Sequence, residues 1–239
     1  MNIALLTAGG TGNRMGQDIP KQFMCIDNQP VIIYTLQAFQ HHPEIDSIAV
    51  VCLSGWDVIL QAYANQYNIT KLKWIFEGGS SNQESIYNGI QGLKNAGCSE
   101  SDIVLVHDGV RPLVDPRIIT ENIAVCKEYG YAVTGMTCKE AIMELIDNTV
   151  VNIDIPRERL VRTQTPHTYA LGTLLNAHKK ALEKGITNTV ASCTLVALTG
   201  IQNQHIVEGT EKNGLKLTRP QDVELFKAMI HTDPEPWMK

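Results

Sequence analysis

The apolar run Ala4-Leu5-Leu6-Thr7-Ala8 opens directly into Gly9-Gly10-Thr11-Gly12-Asn13-Arg14-Met15, and Pro20-Lys21-Gln22 follows within a loop's length. Glycines let a backbone approach a ligand closely and turn its N–H groups toward anionic oxygens. Arg14 and Lys21 add full positive charge where those oxygens would lie. The combination suits the triphosphate of a nucleotide. It is not a Walker A loop, because the GxxxxGK[ST] spacing is absent. Nor is it a complete dinucleotide fingerprint, because Met15 stands in the third glycine's place and the next glycine is Gly16. An ordinary strand-to-helix turn with two solvated cations would carry the same glycines. The Arg…Pro-Lys-Gln continuation separates the two readings.

That continuation, with Phe23, resembles the signature of the cytidylyltransferases that act on sugar-alcohol phosphates. The family has one branch that takes 2-C-methyl-D-erythritol 4-phosphate and another that takes ribitol 5-phosphate. The resemblance continues at Gly78-Gly79 with Ser85, at His107-Asp108-Gly109-Val110-Arg111-Pro112 and at Asp154-Ile155-Pro156-Arg157. It extends through Gln164-Thr165-Pro166 and Leu215-Lys216-Leu217-Thr218-Arg219-Pro220. The blocks keep the family's order and nearly its spacing, across almost the whole chain.

The resemblance implies transfer of CMP from CTP to a small polyol phosphate, with release of pyrophosphate. An acceptor phosphate is already largely dianionic near neutral pH and needs no general base. The difficulty is electrostatic, and positioning, cations and a metal ion meet it. By resemblance, Arg14 and Lys21 hold the triphosphate, Lys21 at the α-phosphate, and Lys216 is a third cation near the attacking phosphate. Viewed alone, Lys216 is a plain surface lysine. Asp108 follows the apolar strand Ile103–Val106, where open α/β sheets place ligand groups, and a carboxylate there can hold Mg²⁺. A turn-forming Asp before glycine is the alternative. Ala8, Gly9, Gly79 and Ser85 correspond to the positions that read cytosine, and Gly10, Gly12 and Arg111 belong to the same CTP site. His107 reads as a hydrogen-bonded structural histidine at a strand end. Arg157 corresponds to an arginine that holds the acceptor's phosphate across a dimer, with Arg159 and Arg162 as neighbouring rivals.

Four departures fall on the acceptor side. Lys139-Glu140-Ala141 stands where the methylerythritol enzymes carry Arg-Asp-Thr, so the threonine hydroxyl is missing. Val190-Ala191 replaces Thr-Asp, Asn213 replaces an acid, and Asn82 replaces an arginine after the double glycine.

These groups need a scaffold. At 239 residues with 44% apolar content, the chain can bury a sizeable core, and one domain over 1–239 is expected. The apolar pattern predicts strands at Ile3–Thr7, Ser47–Leu53, Trp74–Phe76, Ile103–His107, Tyr131–Met136, His205–Val207 and Leu215–Leu217. Helices are predicted at Val31–His41, Asp57–Gln66, Asn82–Asn95, Pro116–Glu128, Leu171–Lys184, Thr189–Leu198 and Pro220–Ile230, the last with Pro220 in its first turn. This alternation implies an α/β fold: a doubly wound, mostly parallel sheet covered on both faces, the Rossmann-like nucleotidyltransferase fold.

One segment breaks the alternation. In Glu140–Ile155 the apolar runs Ala141–Ile146 and Val150–Ile153 flank Asp147-Asn148-Thr149, a hairpin signal with nothing obvious of its own to pack on. The resemblance makes 138–158 a protruding arm that embraces a second subunit of a homodimer. A small edge hairpin folded back on its own domain is the alternative.

A net charge of −5 argues against nucleic-acid partners, and no run of about 18 apolar residues suggests a membrane span. Met1-Asn2-Ile3-Ala4 runs straight into a strand without a charged leader, so a cytoplasmic location is expected. The six cysteines show neither CxxC pairing nor metal-site spacing and read as reduced structural thiols. Asp233-Pro234-Glu235-Pro236 reads as a frayed end.

Three functional readings follow. A CTP-dependent cytidylyltransferase on a polyol phosphate comes first. Asp154-Ile155-Pro156-Arg157 and the Thr-Gly-Asn-Arg loop look like the ribitol branch; Thr218-Arg219-Pro220-Gln221-Asp222 looks like the methylerythritol branch, which is slightly favoured as the commoner one. A sugar-phosphate nucleotidyltransferase using another base, and a non-catalytic nucleotide-binding paralogue, are the alternatives.

Overall fold

A computed structural model describes residues 1–10, 19–147 and 149–232, so Gly12, Arg14 and the Asp233–Pro236 tail lie outside the described residues. In chain order the elements are β1 (Asn2–Ala8), β2 (Cys25–Ile26), β3 (Gln29–Pro30), α1 (Val31–His41), β4 (Ser47–Cys52), α2 (Asp57–Gln66), β5 (Leu72–Glu77), α3 (Asn82–Asn95), β6 (Ile103–Asp108), α4 (Pro116–Tyr129) and β7 (Tyr131–Thr137). There follow β8 (Ile142–Leu145), β9 (Val151–Ile155), β10 (Val161–Ala170), α5 (Leu171–Glu183), α6 (Ser192–Leu198), β11 (His205–Glu208), α7 (Glu211–Gly214) and α8 (Pro220–His231).

One seven-stranded sheet runs in the order β11-β7-β10-β6-β1-β4-β5. Every neighbouring pair is parallel except the two made by β10, which is antiparallel to both β6 and β7. A parallel sheet is covered on both faces, so its strands read as continuous apolar runs. Accordingly, every residue of Ser-Ile-Ala-Val-Val-Cys in β4 is buried. Ala4, Leu6, Val50 and Leu105 pack on one face against Leu36, Phe39, Leu60 and Ile123 from α1, α2 and α4. Ile3, Leu5, Val51 and Val106 pack on the other against Ile90, Leu174 and Leu195 from α3, α5 and α6.

The helix ends follow local chemistry. Asp115 accepts from Arg117 N at the start of α4, Pro116 occupies the first turn, and Gly130 ends the helix at φ +86°, a conformation that L side chains rarely adopt. Ser81 caps α3 by accepting from Glu84 N at 3.1 Å. The register places Ala8 beside Cys52, Thr7 beside Asp108 and Cys52 beside Glu77. The carboxyl ends of β1, β4, β5 and β6 therefore share one edge. The chain runs from β1 outward through β4 to β5 and then crosses back to lay β6 on the other side of β1, which makes the β1/β6 edge the switch point at which open α/β sheets bind ligands.

The structure adds β10, which the apolar pattern does not predict. Val161-Arg-Thr-Gln-Thr-Pro-His-Thr-Tyr-Ala carries few aliphatic residues and a proline. Its ladder with β7 is interrupted between Thr163 and His167, and Pro166, which has no N–H to donate, sits in that gap. Buried polar groups fill the place of an apolar face. Thr134 Oγ1 donates to Pro166 O at 2.7 Å, Asn122 Nδ2 donates to Thr134 Oγ1 at 2.8 Å, and Thr168 Oγ1 donates to Asn122 Oδ1 at 3.1 Å.

The predicted strand Leu215–Leu217 is corrected. The segment leaves the single turn α7 and crosses to bond Leu217 N to Val110 O at 2.9 Å, outside the sheet. The helix predicted from Thr189 starts at Ser192. Asp27 and Asn28 take positive φ in a two-residue turn between β2 and β3, a hairpin too short for periodicity to detect.

The second hairpin is present as expected: β8 and β9 form a sheet of their own. Met143, Leu145, Ile146, Val150, Val151 and Ile153 along it are exposed. All six cysteines are free, and four of them are buried; burial pushes the Cys52 thiol up to about 12 and Cys126 to about 11. Among the described residues no helix is long and apolar enough to cross a membrane.

Candidate active site

The first glycine turn ends β1 and packs against a second one. A Cβ on Gly78 would meet Cys52 O at 3.1 Å and Gly9 Cα at 3.3 Å, so Gly9 and Gly78 meet backbone to backbone. Gln22, almost fully buried, donates from Nε2 to Ala8 O at 2.7 Å and to Gly10 O at 3.0 Å. It ties the turn to the single helical turn Lys21–Phe23, which carries Lys21. Gly79 N donates to Ser85 Oγ at 3.0 Å. Ser85 thus shapes the second turn from within α3.

These turns line a cleft of about 390 Å³ that also contains Lys21, Asp108 and Lys216. Ala8, Gly9, Gly10, Lys21, Gly79, Ser85, Asp108 and Lys216, singled out from sequence, therefore meet in one place. Asp108 ends β6. Its Oδ2 accepts from Arg111 Nε at 2.8 Å and faces Lys216 Nζ at 3.0 Å. Burial alone would raise the Asp108 pKa, but Lys216 and Arg111 outweigh it and hold the carboxyl well below the usual range. Arg111 also donates from Nη1 to Gly214 O, fixing the segment that carries Lys216. His107 is in the core: Nε2 lies 3.1 Å from Arg111 O, and the ring meets Phe39 edge-on at 5.2 Å. Burial pushes its pKa down to about 4, so it is neutral at pH 7.

Arg157 does not line the cleft. It lies in the turn Arg157–Arg159 after the hairpin, with Nη1 donating to Lys139 O at 2.6 Å and Nε 3.7 Å from Glu158 Oε1. Of its rivals, Arg162 pairs with Glu211 at 2.7 Å.

A side pocket of about 150 Å³ opens behind Asp108 and Lys216. Asn82, Val190 and Ala191, three of the positions that depart from the family's pattern, share its wall. Of the other two departures, Ala141 is exposed at the start of the hairpin, directly before β8, and Asn213 lies elsewhere. Asn213 is fully buried, and its Nδ2 donates to Gln164 Oε1 at 2.8 Å and to Thr165 O at 3.1 Å. Gln164 Nε2 in turn donates to Thr210 O at 2.9 Å, so an amide pair locks α7 onto β10. Gln22, Gln164, Thr165, His167 and Ser192 were given no role from sequence. The Pro-Lys-Gln and Gln-Thr-Pro blocks contain three of them, and His167 and Ser192 carried no local signal.

Among the described residues the site thus offers backbone turns, fixed cations and one carboxylate. Among the described residues no group of three or more His, Cys, Asp or Glu side chains is placed to hold a metal by itself.

Comparison with known proteins agrees with this arrangement. The family profile of 2-C-methyl-D-erythritol 4-phosphate cytidylyltransferase (IspD) matches residues 2–232. A ribitol-5-phosphate cytidylyltransferase of Lacticaseibacillus paracasei is 39% identical over 231 residues, covering 96% of this chain and 98% of its own. A 2-C-methyl-D-erythritol 4-phosphate cytidylyltransferase of Clostridium novyi is 34% identical over 231 residues, covering 96% of each. The crystal structure of 4-diphosphocytidyl-2C-methyl-D-erythritol synthase from Anaerococcus prevotii superposes with a TM-score of 0.81 over 97% of this chain and 99% of that one; at 20% identity this is a likeness of fold.

Proposed function

The chain belongs to the IspD family of cytidylyltransferases, and we propose that its acceptor is D-ribitol 5-phosphate, which it converts with CTP into CDP-ribitol and pyrophosphate. The observation that carries this choice is that the ribitol-named relative shares more of the sequence than the methylerythritol-named one over the same span. The sequence alone leans slightly the other way. 2-C-Methyl-D-erythritol 4-phosphate is therefore the second reading, supported by the family profile and by Thr218-Arg219-Pro220-Gln221-Asp222.

An acceptor phosphate oxygen attacks the α-phosphorus of CTP, and the bond from that phosphorus to the bridging oxygen of pyrophosphate breaks in line. No proton has to be removed from the nucleophile. Lys21 and Arg14 offset charge on the triphosphate, and Lys216 brings the second anion up to it. The turns at Gly9 and Gly79, with Ser85, read the base through backbone groups.

Enzymes of this family generally depend on a divalent metal. Mg²⁺ demands oxygen ligands and is commonly held by one or two carboxylates together with substrate phosphates. A single carboxylate among the described residues of the cleft fits a metal that arrives with the triphosphate. Asp108 would hold it, and the ion would supply neutralisation of phosphate charge. The catalytic unit is one domain, completed by the hairpin of a second subunit that delivers Arg157 to the acceptor.

The test is pyrophosphate release from CTP and Mg²⁺ with a panel of polyol phosphates. A kcat/KM for ribitol 5-phosphate at least about tenfold above that for methylerythritol phosphate supports the assignment, and the reverse order transfers it to the second reading.

A further inference from the structure

The segment 186–191 between α5 and α6 contains no helix or strand, yet Val190 and Ala191 at its end form part of the side pocket's wall. Val190 is 89% exposed, so its own burial does not hold it there. Ile186 packs on the core at one end of the segment, and Ser192 begins α6 at the other. The stretch between them is fixed by a side chain from elsewhere. Gln83, the second residue of α3, donates from Nε2 to Ile186 O at 2.7 Å, and its Oε1 accepts from Thr189 N at 2.9 Å. Gln83 and Thr189 are both buried. One amide thus satisfies a backbone acceptor and a backbone donor 103 and 106 positions away in sequence. Among the described residues no other hydrogen bond reaches the backbone of 187–190.

Gln83 stands between two sites and lines neither of them. Its neighbours in the first turn of α3 do: Ser81 and Ser85 face the cleft, and Asn82 belongs to both the cleft and the side pocket. The start of α3 is held without Gln83. Ser81 caps the helix, Glu84 Oε2 accepts from Ser80 N at 2.7 Å, and Ser85 accepts from Gly79 N. The segment 186–191 has no such reserve. Without the amide, Ile186 O and Thr189 N would be left buried and unsatisfied, and the segment would shift to bring them to water. The nucleotide turns would stay in place while the opposite wall moved. That wall stands beside Asp108 and Lys216, which the side pocket shares with the cleft.

We propose that Gln83 is a positioning residue for the transfer reaction: it touches no substrate and sets segment 186–191 against the helix that shapes the nucleotide turn. The inference rests on the polyol-phosphate reading above and adds the residue that joins the nucleotide side of the site to the acceptor side. Its loss is felt by the acceptor brought up to Lys216 and hardly by CTP.

The experiment has two arms, both on the full chain with Gln83→Met, which keeps the side chain's length and removes the amide. The first follows hydrogen exchange at the Thr189 amide without substrates. Exchange should quicken by about tenfold or more, the scale of one lost hydrogen bond. The second measures KM for CTP and for whichever polyol phosphate the wild type uses. KM for the acceptor should rise by about tenfold or more while KM for CTP moves less than about twofold. Ile90→Val, a core change on the same helix, is the control: it should cost stability without separating the two constants. Should Gln83→Met fail to fold, Gln83→Asn takes its place, because the shorter amide cannot reach both Ile186 O and Thr189 N. Unchanged exchange at Thr189 would overturn the proposal, since the segment would then be held by other means. Equal rises in both KM values, or the same separation in Ile90→Val, would overturn it as well and leave Gln83 a purely structural residue. If the wild type binds CTP but turns over no polyol phosphate, the polyol-phosphate reading fails and takes the second arm with it. Quickened exchange with unchanged KM values in an active enzyme defeats this inference alone.

Discussion

Lys216 Nζ and Arg111 Nε converge on the same carboxylate oxygen, Asp108 Oδ2, at 3.0 and 2.8 Å. The aspartate ends a strand of the central sheet, so two cations from loops are referred to a rigid element. Lys216 remains about two-fifths exposed toward the cleft, whereas Asp108 is largely covered. The carboxylate therefore fixes where the lysine charge sits without taking it out of reach of a phosphate.

Removing either cleft lysine should cost the charge that balances the transition state. Lys21→Ala and Lys216→Ala are each expected to lower kcat by more than about a hundredfold, the scale for losing a charge-stabilising donor in a sheltered site. Both side chains line the cleft and neither fills the core, so circular dichroism should stay near wild type for both and the melting temperature for Lys21→Ala, whereas Lys216→Ala should also lower the melting temperature because Asp108 loses one of its two cations. A folded Lys21→Ala protein with near-normal turnover would remove Lys21 from the mechanism.

The nucleotide preference should follow from the two turns that meet at Gly9 and Gly78. Turnover is expected to depend on Mg²⁺ and to favour CTP over ATP, GTP and UTP. The contacts available to the base are backbone groups and Ser85, whose hydroxyl accepts from Gly79 N and so holds the second turn in shape. Ser85→Ala should therefore raise KM for CTP and weaken discrimination against UTP together. Equal rates with UTP in the wild-type enzyme would contradict the assignment of these turns to cytosine.

Stability should fall on mild acidification. Burial pushes the pKa values of His107, His167 and His178 down to about 4 from 6.5. Between these values the unfolded chain binds protons that the folded chain does not. Stability is therefore complete above about pH 6.5 and is lost as pH falls toward 4. Each histidine adds at most about 1.4 kcal/mol per pH unit to that slope. The depressed Asp108 acts in the same direction at lower pH, where protonation releases its two cations. His178 stacks on Tyr87 with ring centroids 5.7 Å apart, so His178→Phe keeps the packing and removes the titration. Urea unfolding of that variant across this window should show a slope shallower by about one proton. An unchanged slope would mean that His178 takes up its proton while folded.

Much of this was legible in sequence for a physical reason. Strands buried on both faces and helices with one apolar stripe write their periodicity plainly, and α1, α2 and α3 match their sequence-predicted boundaries. The first glycine turn, Lys21 and Asp108 were legible from residue types at strand ends, whereas Gly79, Ser85 and Lys216 were legible only through the resemblance to the family. β10 was hidden because buried hydrogen bonds of Thr134, Asn122 and Thr168 hold it, and hydrogen bonding has no sequence period. Gln22, Gln164 and Asn213 stood in the blocks read from sequence, but their hydrogen bonds were hidden for the same reason. Their partners lie 14 and 49 residues apart, and a glutamine that satisfies backbone carbonyls is indistinguishable in sequence from a surface one.

The arm gives the remaining prediction. β8 and β9 pair with each other outside the main sheet and expose Met143, Leu145, Ile146, Val150, Val151 and Ile153 to solvent. An isolated two-stranded hairpin is at best marginally stable in water, and contiguous exposed apolar surface commonly marks an interaction site. Arg157 follows the hairpin directly, and its guanidinium suits bidentate phosphate binding. The proposed two-fold dimer with crossing arms would cover the apolar surface and carry Arg157 to the neighbour's acceptor site. Arg157→Ala should then raise KM for the acceptor far more than KM for CTP. Mixing it with Lys21→Ala after subunit exchange should restore about a quarter of the wild-type site density, because random pairing gives half heterodimers with one intact site each. Recovery requires that cleft and arm come from different chains. A monomer at assay concentration, or a mixture no more active than its components, would show instead that each chain completes its own site.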